Sequence, residues 1–227
     1  MKFSIVIPTF NEEKSITKTL SLLRSQAQES ELEIIVVDAH SSDRTVELAE
    51  KLADQTIFSP PGRAIQMHKG ALAASGELLV FLHADTRLPA SWVHAALKAF
   101  AVLPRPAALA FRLRFDRDEF VYRFIAQASY WRSLLTGVPL GDQALIISKE
   151  LYFRSGGFPP VPIFEEYFLI KNLKGLGRIQ ILEDSVTTSS RRYEKNGPLS
   201  NALKNSWITF LFYLGISPSV LARMYKP

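Results

Sequence analysis

At 227 residues the chain is long enough for one large domain with a substantial core, and its apolar fraction of 47% is ordinary for a globular protein. A formal charge of +5 favours anionic ligands or an anionic membrane surface. It falls short of the dense basic stripe of a nucleic-acid binder, so no nucleic-acid partner is expected. The absence of cysteine excludes disulfides, thiolate metal sites and a cysteine nucleophile.

In chain order, residues 2–7 read as a first strand, ended by Pro8 and too short for the apolar region of a signal peptide. No run approaches the length needed to cross a bilayer, which leads us to expect a soluble or peripheral cytoplasmic protein. Residues 12–28 repeat apolar groups at helical spacing (Ile16, Leu20, Leu23, Ala27). Residues 33–37 form a continuous apolar strand, and Ser42 or Asp43 caps a helix running to about residue 52. A strand at 55–58, a small-residue helix at 63–74, a buried strand at 77–82 and a helix at 90–100 complete the first half. Apolar strands separated by helices indicate an α/β fold: a mainly parallel sheet covered on both faces.

The second half changes character. Residues 107–115 read as an arginine-rich strand, 120–135 as an aromatic helix and 143–148 as a strand, followed by a Gly-Gly-Phe-Pro-Pro turn at 156–160. A helix at 164–173, a strand at 178–182 and an apolar helical tail over 199–224, broken at Gly215 and Pro218, follow. There is no internal repeat, low-complexity tract or linker, so the halves are expected to share one sheet.

Polar residues cluster where strands end. In open α/β sheets that edge binds ligands. Pro8-Thr9-Phe10-Asn11-Glu12-Glu13 follows the first strand without the glycines of a phosphate loop. Thr9, Asn11 and Glu12 suit hydroxyl and base-edge hydrogen bonds; the alternative is a helix start capped by Thr9 or Asn11. Asp38 ends the second strand, where its carboxylate can accept from a ribose hydroxyl or a base N–H. Ser42 and Asp43 beside it read as caps. Arg63, after Gly62, joins a guanidinium to free backbone donors at a helix start and suits a diphosphate; the alternative is a surface arginine. Asp85, on the His83-Ala84-Asp85-Thr86 strand end, is the sharpest candidate for Mn²⁺ or Mg²⁺, which need few protein ligands beside water and phosphate. The alternative is a turn cap before Pro89. His83 reads as a hydrogen-bonded crevice residue rather than a ligand. Glu165-Glu166 open a helix, where the dipole alone favours them; one of them can also serve as a general base. Arg191-Arg192-Tyr193 can clamp an anionic leaving group or form a solvated loop.

Taken together, SIVIPTFNEE, EIIVVDAHSSDRT, GRAIQMHKGALAASGELLVFLHADT and GDQALIIS…GGF…EE resemble the family 2 glycosyltransferases of the GT-A fold, in a small bacterial single-domain branch. The resemblance runs in order from Ser4 to about Tyr193. It implies one Rossmann-like domain over 1–227 with C-terminal helices: 1–103 for the nucleotide sugar, 104–198 for acceptor and catalysis, 199–227 as a helical tail. It further implies that Pro8, Thr9, Glu12 and Asp38 hold the nucleoside, that Arg63 approaches the nucleotide or its phosphates, and that Asp85, last aspartate of the family's DxD motif, holds the metal. Glu166 falls on the aspartate of the family's ED motif, the usual base, with Glu165 as substitute. His83 replaces the first aspartate of DxD, and Glu166 is one methylene longer than the family residue.

The resulting expectation is metal-dependent, inverting transfer of a sugar from a nucleoside-diphosphate sugar to an acceptor hydroxyl, with Arg191 and Arg192 on the departing diphosphate. The acceptor, a lipid or a glycan, is not legible. The alternative is a sugar-nucleotide-binding or scaffold protein that has lost catalysis. A nucleotidyltransferase would need a glycine-rich turn after the first strand, and a nicotinamide dehydrogenase a third glycine near Gly175 and Gly177. The apolar run 207–214 is expected to complete the core or form a homodimer face. The other option is an anionic membrane interface flanked by Lys204, Arg223 and Lys226.

Overall fold

The computed structural model describes residues 1–26 and 31–225. Its frame is one mixed eight-stranded sheet: β1 (Phe3–Thr9), β2 (Leu32–Asp38), β3 (Gln55–Phe58), β4 (Leu78–Phe81), β5 (Thr86–Arg87), β6 (Ala108–Phe115), β7 (Leu145–Ser148) and β8 (Ile179–Thr188), in the order β3-β2-β1-β4-β7-β6-β8-β5. The pairs β2–β3, β1–β2, β1–β4 and β6–β8 are parallel; β7 is antiparallel to both β4 and β6, and β5 to β8. The helices are α1 (Ile16–Ser25), α2 (Thr45–Glu50), α3 (Arg63–Ala73), α4 (Trp92–Ala101), α5 (Phe120–Thr136), α6 (Lys149–Arg154), α7 (Glu165–Lys174), α8 (Arg191–Asn196), α9 (Pro198–Tyr213) and α10 (Pro218–Tyr225).

Strand alternation builds two cores, one on each face of the sheet. Phe3, Ile5, Ile7, Ile34, Val36, Leu78 and Val80 pack with Leu20, Leu23, Ala49 and Trp92 of α1, α2 and α4. Val6, Ile35, Val37, Leu79 and Phe81 pack with Met67, Tyr152 and Leu169 of α3, α6 and α7. Burying each such side chain contributes about 1.5–3 kcal/mol, and having both faces covered is why these strands are apolar throughout. The expected covered, mainly parallel sheet is present, and helices lie on both faces.

Several boundaries differ from expectation. The first helix begins at Ile16 rather than residue 12, because residues 10–15 form a loop whose polar groups bond to the β2–α2 connection. Ala27 lies outside the described residues, as does Lys226. The short elements β5, α6 and α8 were not expected, and β8 runs to Thr188. The tail corrects one expectation outright: it does not complete the main core. Within 207–214 only Ile208 is fully covered, in a small satellite cluster with Ile163 and Leu221, while Trp207, Phe210, Tyr213 and Leu214 are exposed. Among the described residues, no helix is long and apolar enough to cross a membrane.

α3 reaches the sheet through Gly70. A Cβ built there would lie 2.3 Å from Val6 Cγ1 and 3.0 Å from Val37 Cγ2. Gly70→Ala therefore overpacks a site where both neighbours are fully buried. The variant is expected to lose about 1–3 kcal/mol of stability despite the better helix propensity of alanine. Urea unfolding measures this; unchanged stability would mean that α3 does not sit this close to β1 and β2.

Candidate active site

Strand order reverses at β1, which has β2 on one side and β4 on the other. This is the switch point at which open α/β sheets leave a crevice beyond the carboxyl strand ends. The β1–β2 ladder continues to Thr9–Asp38, whereas β1–β4 pairing ends at Val6–Phe81. Pro8 and Thr9 thus extend past β4 and border the opening, a position where the missing N–H of Pro8 breaks no ladder with β4.

The floor is a net of protein hydrogen bonds. Thr9 Oγ1 donates to Asp38 Oδ2 at 2.8 Å, and Ser41 donates to the same carboxylate through N (2.7 Å) and Oγ (2.6 Å). Asp38 is fully covered. Gln66, which the sequence did not single out, donates from Nε2 to the carbonyls of Thr9 (2.9 Å) and Val37 (2.8 Å), locking α3 to the ends of β1 and β2. Asn11, at φ 54°, accepts the Ser42 N–H at Oδ1 and donates its own N–H to Ser41 Oγ. Neither Thr9 nor Asn11 caps α1, and Ser42 caps nothing. Asp43 Oδ1 accepts the Thr45 N–H at the start of α2, but the N-cap position itself is Arg44, whose side chain makes no cap.

A first charged group lines the rim. Arg191, at the head of α8, donates to both oxygens of Glu12 at 3.1 and 2.9 Å and lies 4.0 Å from Asp85 Oδ2. Asp85 has no nearer charged partner among the described residues. Its loop is fixed by Thr19 Oγ1 donating to Ala84 O at 2.7 Å and by the Thr86 N–H to His83 O turn. Arg191 therefore links the β1–α1 and β4–β5 connections to α8 instead of standing as a solvated loop charge. Arg192 is exposed, and its charge acts on Asp142.

The second group is buried. Arg63 Nε donates to Glu165 Oε1, and its NH2 lies 3.6 Å from Glu166 Oε1. Glu165 and Glu166 are 1% and 4% exposed. Phe164, at φ 64°, turns the chain so that both carboxylates enter α7 facing Arg63; a left-handed bulky residue costs about 1–2 kcal/mol and marks a position held by its surroundings. Arg63 is thus a clamp on two acids rather than a free guanidinium. Burial and the adjacent Glu165 charge raise Glu166 above the ordinary glutamate range, against the lowering pull of Arg63 and His83. Glu165 Oε2 is buried with no partner among the described residues. His83 Nδ1 and Asp142 Oδ1 lie 2.7 Å apart. Burial opposes the charge on Asp142, but the His83 hydrogen bond and the charges of His83, Arg192 and Arg63 hold it at about 2.

A parallel switch-point crevice flanked by antiparallel β7 and lined with acids and arginines defines a GT-A-type fold. The sequence profile described as glycosyl transferase family 2 matches residues 4–158; the chain belongs to that family. It is 34% identical over 95 residues to the poly(ribitol-phosphate) beta-N-acetylglucosaminyltransferase TarS of Staphylococcus aureus, a stretch covering 37% of this chain and 16% of TarS. Two solved structures share the fold: the mannosyltransferase PcManGT from Pyrobaculum calidifontis in complex with GDP-Man and Mn²⁺ (20% identity, TM-score 0.69, 98% of this chain and 69% of that one), and the glucosyl-3-phosphoglycerate synthase of Mycobacterium tuberculosis in complex with Mn²⁺, UDP and glucosyl-3-phosphoglycerate (21%, TM-score 0.65, 95% and 81%). The chain spans well under half the length of TarS.

The buried acids give a stability test with a defined sign. Below the unfolded glutamate value of about 4.3 both states hold the Glu166 proton. Above the raised folded value the native state bears the full cost of the charge. Glu166→Gln should therefore raise Tm at neutral pH and much less in acid. Arg63→Met, which strands two buried carboxylates, should cost about 3–5 kcal/mol at neutral pH and recover part of it when combined with Glu166→Gln. Melting curves across pH check both; a Glu166→Gln chain destabilised at neutral pH would contradict the burial of a costly charge.

Proposed function

We propose that the chain transfers a sugar from a nucleoside-diphosphate sugar to an acceptor hydroxyl by one displacement with inversion at the anomeric carbon. The observation that carries this reading is Glu166, a buried carboxylate of raised proton affinity held by Arg63 beside His83 and at the crevice. Such a group suits proton abstraction near neutral pH. In this reading the acceptor oxygen bonds to the anomeric carbon as the bond from that carbon to the diphosphate oxygen breaks, and Glu166 takes the hydroxyl proton. Glu165, carrying the Arg63 clamp, is the substitute base.

The remaining roles follow from position. Pro8, Thr9 and Glu12 border the nucleoside, and Asp38, fully covered, acts by fixing Thr9 and Ser41. Arg191 and Arg192 offset the charge that builds on the leaving diphosphate. Residues 1–103 hold the donor, 104–198 supply the base and the acceptor side, and 199–227 form the helical tail. The exposed row Trp207, Phe210, Tyr213 and Leu214 suits a second copy of the chain or an anionic membrane surface.

Among the described residues no three His, Asp or Glu side chains form a metal cage. The donor set fits a hard cation completed by substrate: Asp85 keeps a carboxylate whose nearest charge is Arg191 at 4.0 Å, and Mn²⁺ or Mg²⁺ takes one or two carboxylates with water and phosphate oxygens. Asp85 would hold the ion, which when bound supplies positive charge to the diphosphate. The Mn²⁺ with GDP-Man or UDP in the two structural neighbours supports this.

Incubation with a panel of nucleotide sugars and Mn²⁺, following diphosphate release, tests the reading. Glu166→Gln should lose roughly a hundred- to ten-thousand-fold in kcat with nucleoside-diphosphate affinity retained. Asp85→Asn should weaken that affinity only when Mn²⁺ is present. Turnover by Glu166→Gln equal to the parent would remove Glu166 as base, and its loss in Glu165→Gln instead would assign the role to Glu165.

A further inference from the structure

The carboxyl half of β6 reads Arg112-Leu113-Arg114-Phe115. Arg112 and Arg114 line a cavity of about 340 Å³ together with Arg117, Arg123, Tyr122 and Tyr130. A second cavity of about 380 Å³ shares Arg114 and Phe115 and is bounded by Arg87 and Thr187. Four arginines around one hollow repel one another unless anions intervene. Two are answered by the protein: Arg117 by Glu194 at 2.8 Å and Glu119 at 3.6 Å, and Arg123 by Asp118 at 3.7 Å. No ion pair within 4.0 Å is formed by Arg112 or Arg114 among the described residues.

Arg112 is also fixed in place. Its guanidinium carbon sits 4.3 Å from the centroid of the Tyr130 ring, and its NH2 donates to Tyr130 Oη at 3.1 Å. Its Nε is buried and has no acceptor. A planar, ordered fork with a spare N–H is the group that binds phosphate oxygens best, and an unmade buried donor is the kind of gap a ligand fills.

The second cavity leads toward the crevice through Arg87. Register places Arg114 opposite Thr187 and Thr187 opposite Arg87, side by side across β6, β8 and β5. Arg87 is two residues beyond Asp85. β8 then leads to Ser190, whose N–H donates to Asp116 Oδ1 at 2.9 Å, and to Arg191 on Glu12.

We propose that the acceptor is a phosphate ester whose phosphate is held by Arg112 and Arg114, with Arg87 on the path toward the reaction centre. This rests on the glycosyl-transfer reading above. It is binding only, with no bond made or broken at the phosphate.

The test loads the full chain with UDP and Mn²⁺, then titrates sn-glycerol 3-phosphate by calorimetry. In parallel, vesicles of phosphatidylglycerol with phosphatidylcholine are compared with phosphatidylcholine alone by co-sedimentation. The proposal expects one of the two probes to bind and Arg112→Gln/Arg114→Gln to lose at least roughly tenfold in that affinity, with UDP affinity unchanged. The probe that binds identifies the source as a soluble ester or a lipid headgroup. Arg114→Gln alone, at an exposed position, should lose part of the affinity without affecting folding. Equal binding by parent and variants, or binding of neither probe while UDP binds, overturns the phosphate site. Failure of UDP to bind overturns the donor reading instead, and glycerol phosphate binding that still depends on Arg112 then stands alone.

Discussion

One guanidinium holds two buried carboxylates, and the architecture of the crevice depends on it. Arg63 begins α3, which is pressed onto β1 and β2 at Gly70 and locked to their ends by Gln66. Glu165 and Glu166 begin α7, 102 residues later. Two covered acids side by side are tolerable only with a cation among them. The same contact that joins the two parts of the chain therefore also sets the proton affinity of Glu166. The cost is visible in the left-handed Phe164 and in the orphaned Glu165 Oε2, features that concentrate where structure is held for a purpose other than stability.

The rim charges are of a different kind. Arg191 is 43% exposed at its side chain, and its approach to Asp85 is long. A half-exposed arginine at that distance from a carboxylate gains little from the pair, and its nearer partner is Glu12 at 2.9 Å. The crevice thus combines a rigid acid–arginine group deep on one side with a loosely paired arginine and aspartate at its mouth. In the proposed reaction the donor's diphosphate competes for Arg191 at the rim, whereas displacing Arg63 would leave both buried acids without their cation.

The parts legible in the sequence were those dictated by burial and strand ends. Ile5 to Ile7, Ile34 to Val37 and Leu78 to Phe81 are apolar because both faces of the sheet are covered, so their strands and the parallel order could be read directly. Asp85 and Thr9 stand out as polar residues at the ends of apolar strands; Thr9 has a structural partner there in Asp38, while the only charged partner of Asp85 among the described residues is Arg191, at 4.0 Å. Pairings between distant positions left no local trace: Arg63 with Glu165 and Arg191 with Glu12, 179 residues apart, look like independent surface charges. The start of α1 is not legible because Asn11 and Glu12 have helix-compatible spacing but spend their backbone N–H groups on Ser41 and Thr45. The core half of the tail expectation fails because an apolar helix reads as core material whether or not anything covers it, and Trp207 and Phe210 are left open.

The most direct test of this account is a carbon-13 titration of the Glu166 side-chain carboxyl in the otherwise native chain, with Glu166→Gln to assign the resonance. A buried acid beside Glu165 should titrate above the ordinary value of about 4.3, and Arg63→Met, by removing the cation, should move its midpoint higher still. A midpoint at or below the ordinary value, or one indifferent to Arg63, would contradict the clamp and with it the proton-accepting role assigned to Glu166.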